Sequence, residues 1–162
     1  MTSSLFTPKT GLSNHEIECI IRRCEHPQFK LALVLMYQLG IRPSECLRIE
    51  VQHIQINSGL LTIKGPKGNV RQLPIPLSIA QQIPKLFTSS YLFANQKGTF
   101  YHLRSLQLEA KKAAKASGLH LRYGASSFRH AFAERMINEG LPLNTLQEWL
   151  GIQHEKSMRR YI

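Results

Sequence analysis

Helical periodicity fails once along this chain, between Ile54 and Ile75, and that single interruption limits the folds open to it. Three short runs rich in β-branched and aliphatic residues fall there: Ile54–Ile56, Leu60–Lys64 and Val70–Ile75. The linkers between them, Asn57-Ser58-Gly59 and Gly65-Pro66-Lys67-Gly68-Asn69, are turn sequences too short for a crossover, so the runs pair as an antiparallel meander.

Everything on either side reads as helix. Ser13 and Glu16 have capping-box spacing ahead of Ile17, Ile20 and Ile21, which predicts a helix ending near Arg23. A second is expected over Pro27–Leu39, closed by Gly40, and its density of Phe29, Leu33, Val34, Met36 and Tyr37 puts it in the core. Pro43 opens a third, short one over Ser44–Ile49. Beyond the strands, helices are expected over Ser78–Ile83 before Pro84, Leu103–Ser117 before Gly118, Ser127–Glu139 before Gly140 and Pro142–Leu150 before Gly151, with a further turn or two after Ile152. The expected fold class is mainly α with a small antiparallel three-stranded β-sheet, an α+β domain over residues 13–162 behind a polar tail at 1–12.

Composition narrows the chemistry. None of the 162 residues is aspartate, and all 10 acids are glutamates. A Ser-His-Asp triad, an aspartate-held magnesium pair, a kinase catalytic loop and an EF-hand loop are therefore out of reach. The 21 Lys and Arg residues leave a net charge of +11, which attracts a polyanion. Residues 51–108 contain no acid, only Lys64, Lys67, Arg71, Lys85, Lys97 and Arg104, so the middle of the chain reads as a nucleic-acid contact surface. No segment is apolar for long enough to span a bilayer, and residues 1–12 lack the charge-then-apolar order of a signal peptide, so no membrane partner and a cytoplasmic location are expected. Cys19, Cys24 and Cys46 read as reduced thiols; Cys19, Cys24 and His26 are poorly spaced for zinc, and no metal site is expected.

Three stretches put basic or nucleophilic residues at element ends. In Leu39-Gly40-Ile41-Arg42-Pro43-Ser44-Glu45, Arg42 lies between a helix cap and the next helix start, where it can face a phosphate or pair with Glu45. In Ser126-Ser127-Phe128-Arg129-His130-Ala131-Phe132, Arg129 and His130 stand in the first turn of a helix, against its dipole, so an anionic partner is expected to compensate. The third is Leu150-Gly151-Ile152-Gln153-His154, with Tyr161 seven residues beyond His154 and next to Arg159 and Arg160.

In this order the three stretches resemble the catalytic domain of the tyrosine recombinases, the phage-integrase family of DNA strand-exchange enzymes, over about Leu12 to Ile162. The family's Gly-hydrophobic-Arg-x-Ser-Glu box matches Gly40–Glu45 and makes Arg42 its first catalytic arginine; the His-x-x-Arg-His box matches from Ser126 and makes Arg129 the second. The Leu-Gly-His box matches Leu150-Gly151-Ile152 and makes Tyr161, nine residues on, the nucleophile. The resemblance implies a site-specific recombinase or integrase that cuts and rejoins DNA through a 3′-phosphotyrosine intermediate, without metal or cofactor, in a mobile-element or nucleoid context. It also implies double-stranded DNA as partner and self-association on DNA as a dimer or tetramer. The family's hairpin lysine, a general acid, corresponds to Lys67 or, as the alternative, to Lys64.

Two positions depart from the family. Ser126 stands at the usual box-two histidine and Ile152 at the histidine of the third box. Ser126 can donate a hydrogen bond to a phosphoryl oxygen, and His154 is the candidate substitute for the imidazole, with His130 expected to be a buried structural residue. A weakened enzyme follows, or, as the alternative, a catalytically impaired family member that binds DNA as an accessory or regulatory protein. The expected DNA-binding residues are Lys64, Arg71, Lys111, Lys112, Lys115, Arg159 and Arg160. The chain has no room for the separate N-terminal helical domain that family members usually carry, so a single catalytic domain is expected.

Overall fold

The structure, a computed structural model, describes residues 12–83, 89–119 and 123–162. Helix α1 (Asn14–Arg23) starts on the capping box that its sequence announces: Glu16 N–H donates to Ser13 Oγ at 3.2 Å, and Ser13 N–H to Glu16 Oε2 at 2.7 Å. Leu12, expected as the end of the tail, is instead buried in the core beside Ile17 and Ile20, because an apolar side chain just ahead of the cap packs back onto the helix it precedes. Residues 1–11 lie outside the described part, as do Pro84 and Lys85.

Helix α2 (Pro27–Leu39) is the central element. It is apolar on nearly every face and is surrounded by α1, α3 (Pro43–Leu47), α5 (Leu103–Ala116) and α6 (Ala125–Asn138). Its last turn ends on Gly40, which adopts the left-handed conformation at φ 69°. A Cβ at that position would sit 2.2 Å from Phe132 Cδ1, so glycine is required twice over, by backbone conformation and by the close approach of α6.

The interruption in helical period is the expected sheet, in order β1-β2-β3, all antiparallel: β1 (Ile54–Gln55), β2 (Leu60–Lys64) and β3 (Val70–Pro74). β1 is shorter than its sequence suggests because the Ile56 carbonyl is taken by the turn, accepting from Gly59 N–H at 3.3 Å. Leu61, Ile63 and Leu73 face the core, and Ile63 pairs with Arg71 across the ladder. The short α4 (Leu77–Ala80), then α5, α6 and α7 (Leu143–Leu150) complete the fold, with a 3-10 turn over Glu155–Arg160 leading into Tyr161. A second, smaller core cluster joins Phe132, Leu146, Leu150, Ile152 and Met158 to the ring of Tyr161. Among the described residues, no helix is long and apolar enough to cross a membrane.

Candidate active site

The C-terminal end of α7 organises the site. A helix leaves its last four carbonyls without an intrahelical partner, and here each of the four has one. Gln147 O accepts from Ile152 N–H and Glu148 O from Gly151 N–H, both at 3.0 Å, which is the backbone closure of a left-handed cap. The other two face side chains: Trp149 O accepts from Arg71 Nε at 2.8 Å, and Leu150 O from Arg129 Nη2 at 2.9 Å.

Arg129 is buried, at 4% exposure, in the first turns of α6. An anionic partner is expected for a cation there, and the structure provides instead the partial negative charge of two helix ends. Besides Leu150 O, Arg129 Nη1 donates to Gly40 O at 2.8 Å, so the guanidinium sits between the negative ends of α2 and α7. Its third donor, Nε, reaches Tyr161 Oη at 2.9 Å. Burial pulls the guanidinium below the ordinary arginine value, and the Tyr161 oxygen opposes that pull. Of its five N–H bonds, three are spent on these acceptors, which leaves two for an anion.

Arg42 is set by one carboxylate. Its own N–H donates to Glu45 Oε2 at 3.0 Å, which starts α3, and its Nη1 donates to Glu45 Oε1 at 2.8 Å. Glu45 is buried and also takes a bidentate fork from Arg71, with Nη1 to Oε1 at 3.1 Å and Nη2 to Oε2 at 2.8 Å. Burial pushes the Glu45 carboxyl up, but the hydrogen bonds and charge of Arg71 and Arg42 outweigh it and hold the group below the ordinary carboxylate range.

Lys67 tops the β2–β3 hairpin in a 3-10 turn over Pro66–Gly68 and is the one non-glycine among the described residues with positive φ, at 59°. The hairpin base is tied by Gly65 N–H to Asn69 O at 2.7 Å. It lies so close to Glu45 that a Cβ on Gly65 would be 3.2 Å from Oε1.

These pieces enclose a cleft of about 470 Å³. Arg42, Lys67, Ser126, Arg129, His154 and Tyr161, the six expected catalytic residues, all line it, although they come from four separate segments of the chain. Ile152 lines it too, at the expected imidazole position. Lys64 does not: it lies outside the cleft, 3.6 Å from Glu50. Of the expected DNA-binding residues, Arg160 lines the cleft, while Lys111, Lys112, Lys115 and Arg159 are exposed and do not line it. Lys112 is engaged with Glu25 at 3.2 Å.

Arg71 requires a correction. Expected on the DNA surface, its side chain is 10% exposed and points inward to Glu45 and α7. The signal is present in the sequence: Arg71 is in phase with Leu73, the inward residue of β3, and with Ile75 just beyond the strand, and period two puts all three on one face. His130 also differs from expectation. It is half-buried and lines the cleft, its ring 4.7 Å from that of Tyr161.

The sequence and the fold both have counterparts among known proteins. The sequence model described as "Phage integrase family" matches residues 11–162. Tyrosine recombinase XerC of Anoxybacillus flavithermus is 27% identical over 140 residues, covering 78% of this chain and 47% of that protein. Tyrosine recombinase XerA of Pyrococcus horikoshii is 28% identical over 154 residues, covering 89% of this chain and 53% of that protein. The chain thus spans about half the length of these curated relatives. Among solved structures, the integrase of the Tn1549 transposon in complex with transposon right-end DNA superposes with a TM-score of 0.82 at 17% identity, covering 96% of this chain and 62% of that one.

Proposed function

The chain belongs to the phage integrase family, and from that premise we propose that it cuts and rejoins double-stranded DNA through a covalent phosphotyrosine. The observation that carries the reading is Arg129 Nε donating to Tyr161 Oη at 2.9 Å on the wall of a cleft that Arg42, Lys67, Ser126 and His154 share.

In this reading, a scissile phosphate enters between Arg42 and the two uncommitted N–H bonds of Arg129. Two guanidinium forks neutralise the charge that builds on the non-bridging oxygens of the pentacoordinate phosphorane, and Ser126 adds a hydroxyl donor. Tyr161 Oη attacks phosphorus and gives up its proton to His154 or to water. The P–O5′ bond breaks, and Lys67 Nζ donates a proton to the departing 5′-oxygen, leaving a 3′-phosphotyrosyl strand and a free 5′-hydroxyl. The reverse attack by a 5′-hydroxyl reseals the DNA and releases the tyrosine. The phosphodiester energy is kept in the phosphotyrosyl bond, so both directions run without an external energy source. Exchange between two duplexes requires at least two protomers on DNA.

A second reading, a DNA-binding member with impaired chemistry, is favoured by Ile152, whose side chain lines the cleft where an imidazole is usual. Incubation with a nicked suicide duplex followed by denaturing electrophoresis decides between them. A covalent protein–DNA band that disappears in Tyr161→Phe supports strand transfer. DNA binding with no band sinks it in favour of the second reading.

A further inference from the structure

We infer that Arg71 is a positioning residue for the leaving-group step, holding the Lys67 hairpin at a fixed distance from Arg42 and from the α7 end that carries Ile152 and leads to Tyr161. This inference rests on the reading of Lys67 as the general acid.

The geometry is specific. Arg71 lies four residues beyond Lys67 and opposite Ile63 in the ladder, so any shift of its backbone moves the hairpin tip. Its Nη1 and Nη2 fork Glu45, which in turn holds Arg42, while its Nε is committed to Trp149 O. One planar cation therefore joins three elements that each bring a cleft residue: β3 and its hairpin bring Lys67, α3 brings Arg42, and the α7 cap brings Ile152. The cap is shaped around it. Gly151 is left-handed at φ 67°, and a Cβ there would stand 2.7 Å from Arg71 Nη1 and 2.9 Å from Cζ. The hairpin touches the same cap again through Asn69 Nδ2, 3.5 Å from Gly151 O. Lysine could neutralise Glu45 from this position but could not span both the carboxylate and the carbonyl, because its donors radiate from one nitrogen.

Proton donation depends on placement more steeply than charge neutralisation does, since the donor must reach one particular oxygen. Loosening Arg71 should therefore slow departure of the 5′-oxygen more than it weakens phosphate binding. The test uses two suicide duplexes, one with the ordinary 5′-oxygen at the scissile bond and one with a bridging 5′-sulfur, whose thiolate leaves without a proton. Arg71→Gln is expected to cleave the oxygen substrate about 10²-fold more slowly, the order that a small misplacement costs. It is expected to cleave the sulfur substrate at the wild-type rate. Arg71→Lys, which keeps the charge beside Glu45 and protects the fold, is read in parallel and should show the same selectivity. Equal slowing on both substrates, or no slowing on either, overturns the inference. Lys67→Ala separates the two levels: if sulfur fails to rescue it, the general-acid reading is wrong. If sulfur rescues Lys67→Ala but neither Arg71 variant, the positioning role alone is wrong.

Discussion

Arg129 donates its Nε hydrogen to Tyr161 Oη at 2.9 Å while its other two nitrogens grip the carbonyl ends of α2 and α7, so the proposed nucleophile and the proposed phosphate-binding cation are built as one unit. The tyrosine is itself part of the second core cluster, at 3% exposure, which ties the chemistry of its hydroxyl to the stability of the fold.

Tyr161→Phe should therefore do two things. Covalent DNA capture is lost, and the fold weakens by about 1.5–3 kcal/mol, because a buried charged donor loses its acceptor. Urea unfolding measures the second effect. A variant as stable as the parent would mean that the hydrogen bond contributes nothing, and a surviving covalent band would move the nucleophile elsewhere.

Glu45 makes the fold acid-sensitive. Its carboxyl is depressed in the folded state, so the stabilisation is complete above the ordinary glutamate value of about 4.3 and is lost as pH falls below it towards the depressed value. Glu45→Gln should flatten the acid limb of stability against pH, measured by denaturant midpoints at a series of pH values. Glu45→Ala should cost about 3–5 kcal/mol, since it leaves Arg42 and the largely buried Arg71 facing an empty site. An acid limb unchanged in Glu45→Gln would assign the sensitivity to other carboxylates.

Lys67 holds a left-handed conformation that costs a side-chain-bearing residue about 1–2 kcal/mol, and glycine adopts it freely. Part of that gain is offset by the greater chain entropy of glycine. Lys67→Gly is thus expected to melt at or slightly above the parent temperature while its cleavage of ordinary DNA falls by about 10²–10⁴. Lower stability would place the backbone strain in error, and undiminished cleavage would remove Lys67 from the reaction.

Gly40→Ala combines strain with collision, from its left-handed φ and the 2.2 Å approach to Phe132 Cδ1. The overpacking alone should destabilise by about 1–3 kcal/mol. Because Gly40 O also holds Arg129, cleavage should fall beyond what the unfolded fraction explains. Adding Phe132→Leu should recover part of the stability, a coupling that a double-mutant cycle reads directly. Purely additive effects would mean that α6 simply moves aside.

How far the sequence foretold this arrangement depends on whether the determining interaction is local. Pro27, Pro43, Gly40 and Gly151 act through their own backbone, and the helices begin or end beside them as expected. Ser13 and Glu16 cap α1 across three residues, again locally. The sheet followed from turn lengths. Arg71 departs from expectation because its phase with Leu73, and not its charge, decides which face of β3 it takes. Its acceptors at Glu45 and Trp149 lie 26 and 78 residues away, beyond anything a local pattern encodes. The same holds for the neutralisation of Arg129 by carbonyls of two distant helices: the need was legible in the helix dipole, the source was not.

His154 carries the last prediction, because the cleft offers it and Ile152 as neighbours in the stretch that precedes Tyr161. Ile152 is an anchor, 9% exposed and packed with Met158 and Leu150, whereas His154 is exposed and sits at the start of the turn that returns the chain to Tyr161. If His154 accepts the phenol proton, His154→Ala should slow cleavage by about 10²–10⁴ without weakening DNA binding. Restoring an imidazole through Ile152→His in that background should then recover activity, at a cost in stability from opening the second core cluster. Full activity in His154→Ala would show that solvent takes the proton. Loss of activity without recovery in the double variant would show that position 152 cannot present an imidazole to Tyr161, and that the cleft is adapted to its isoleucine.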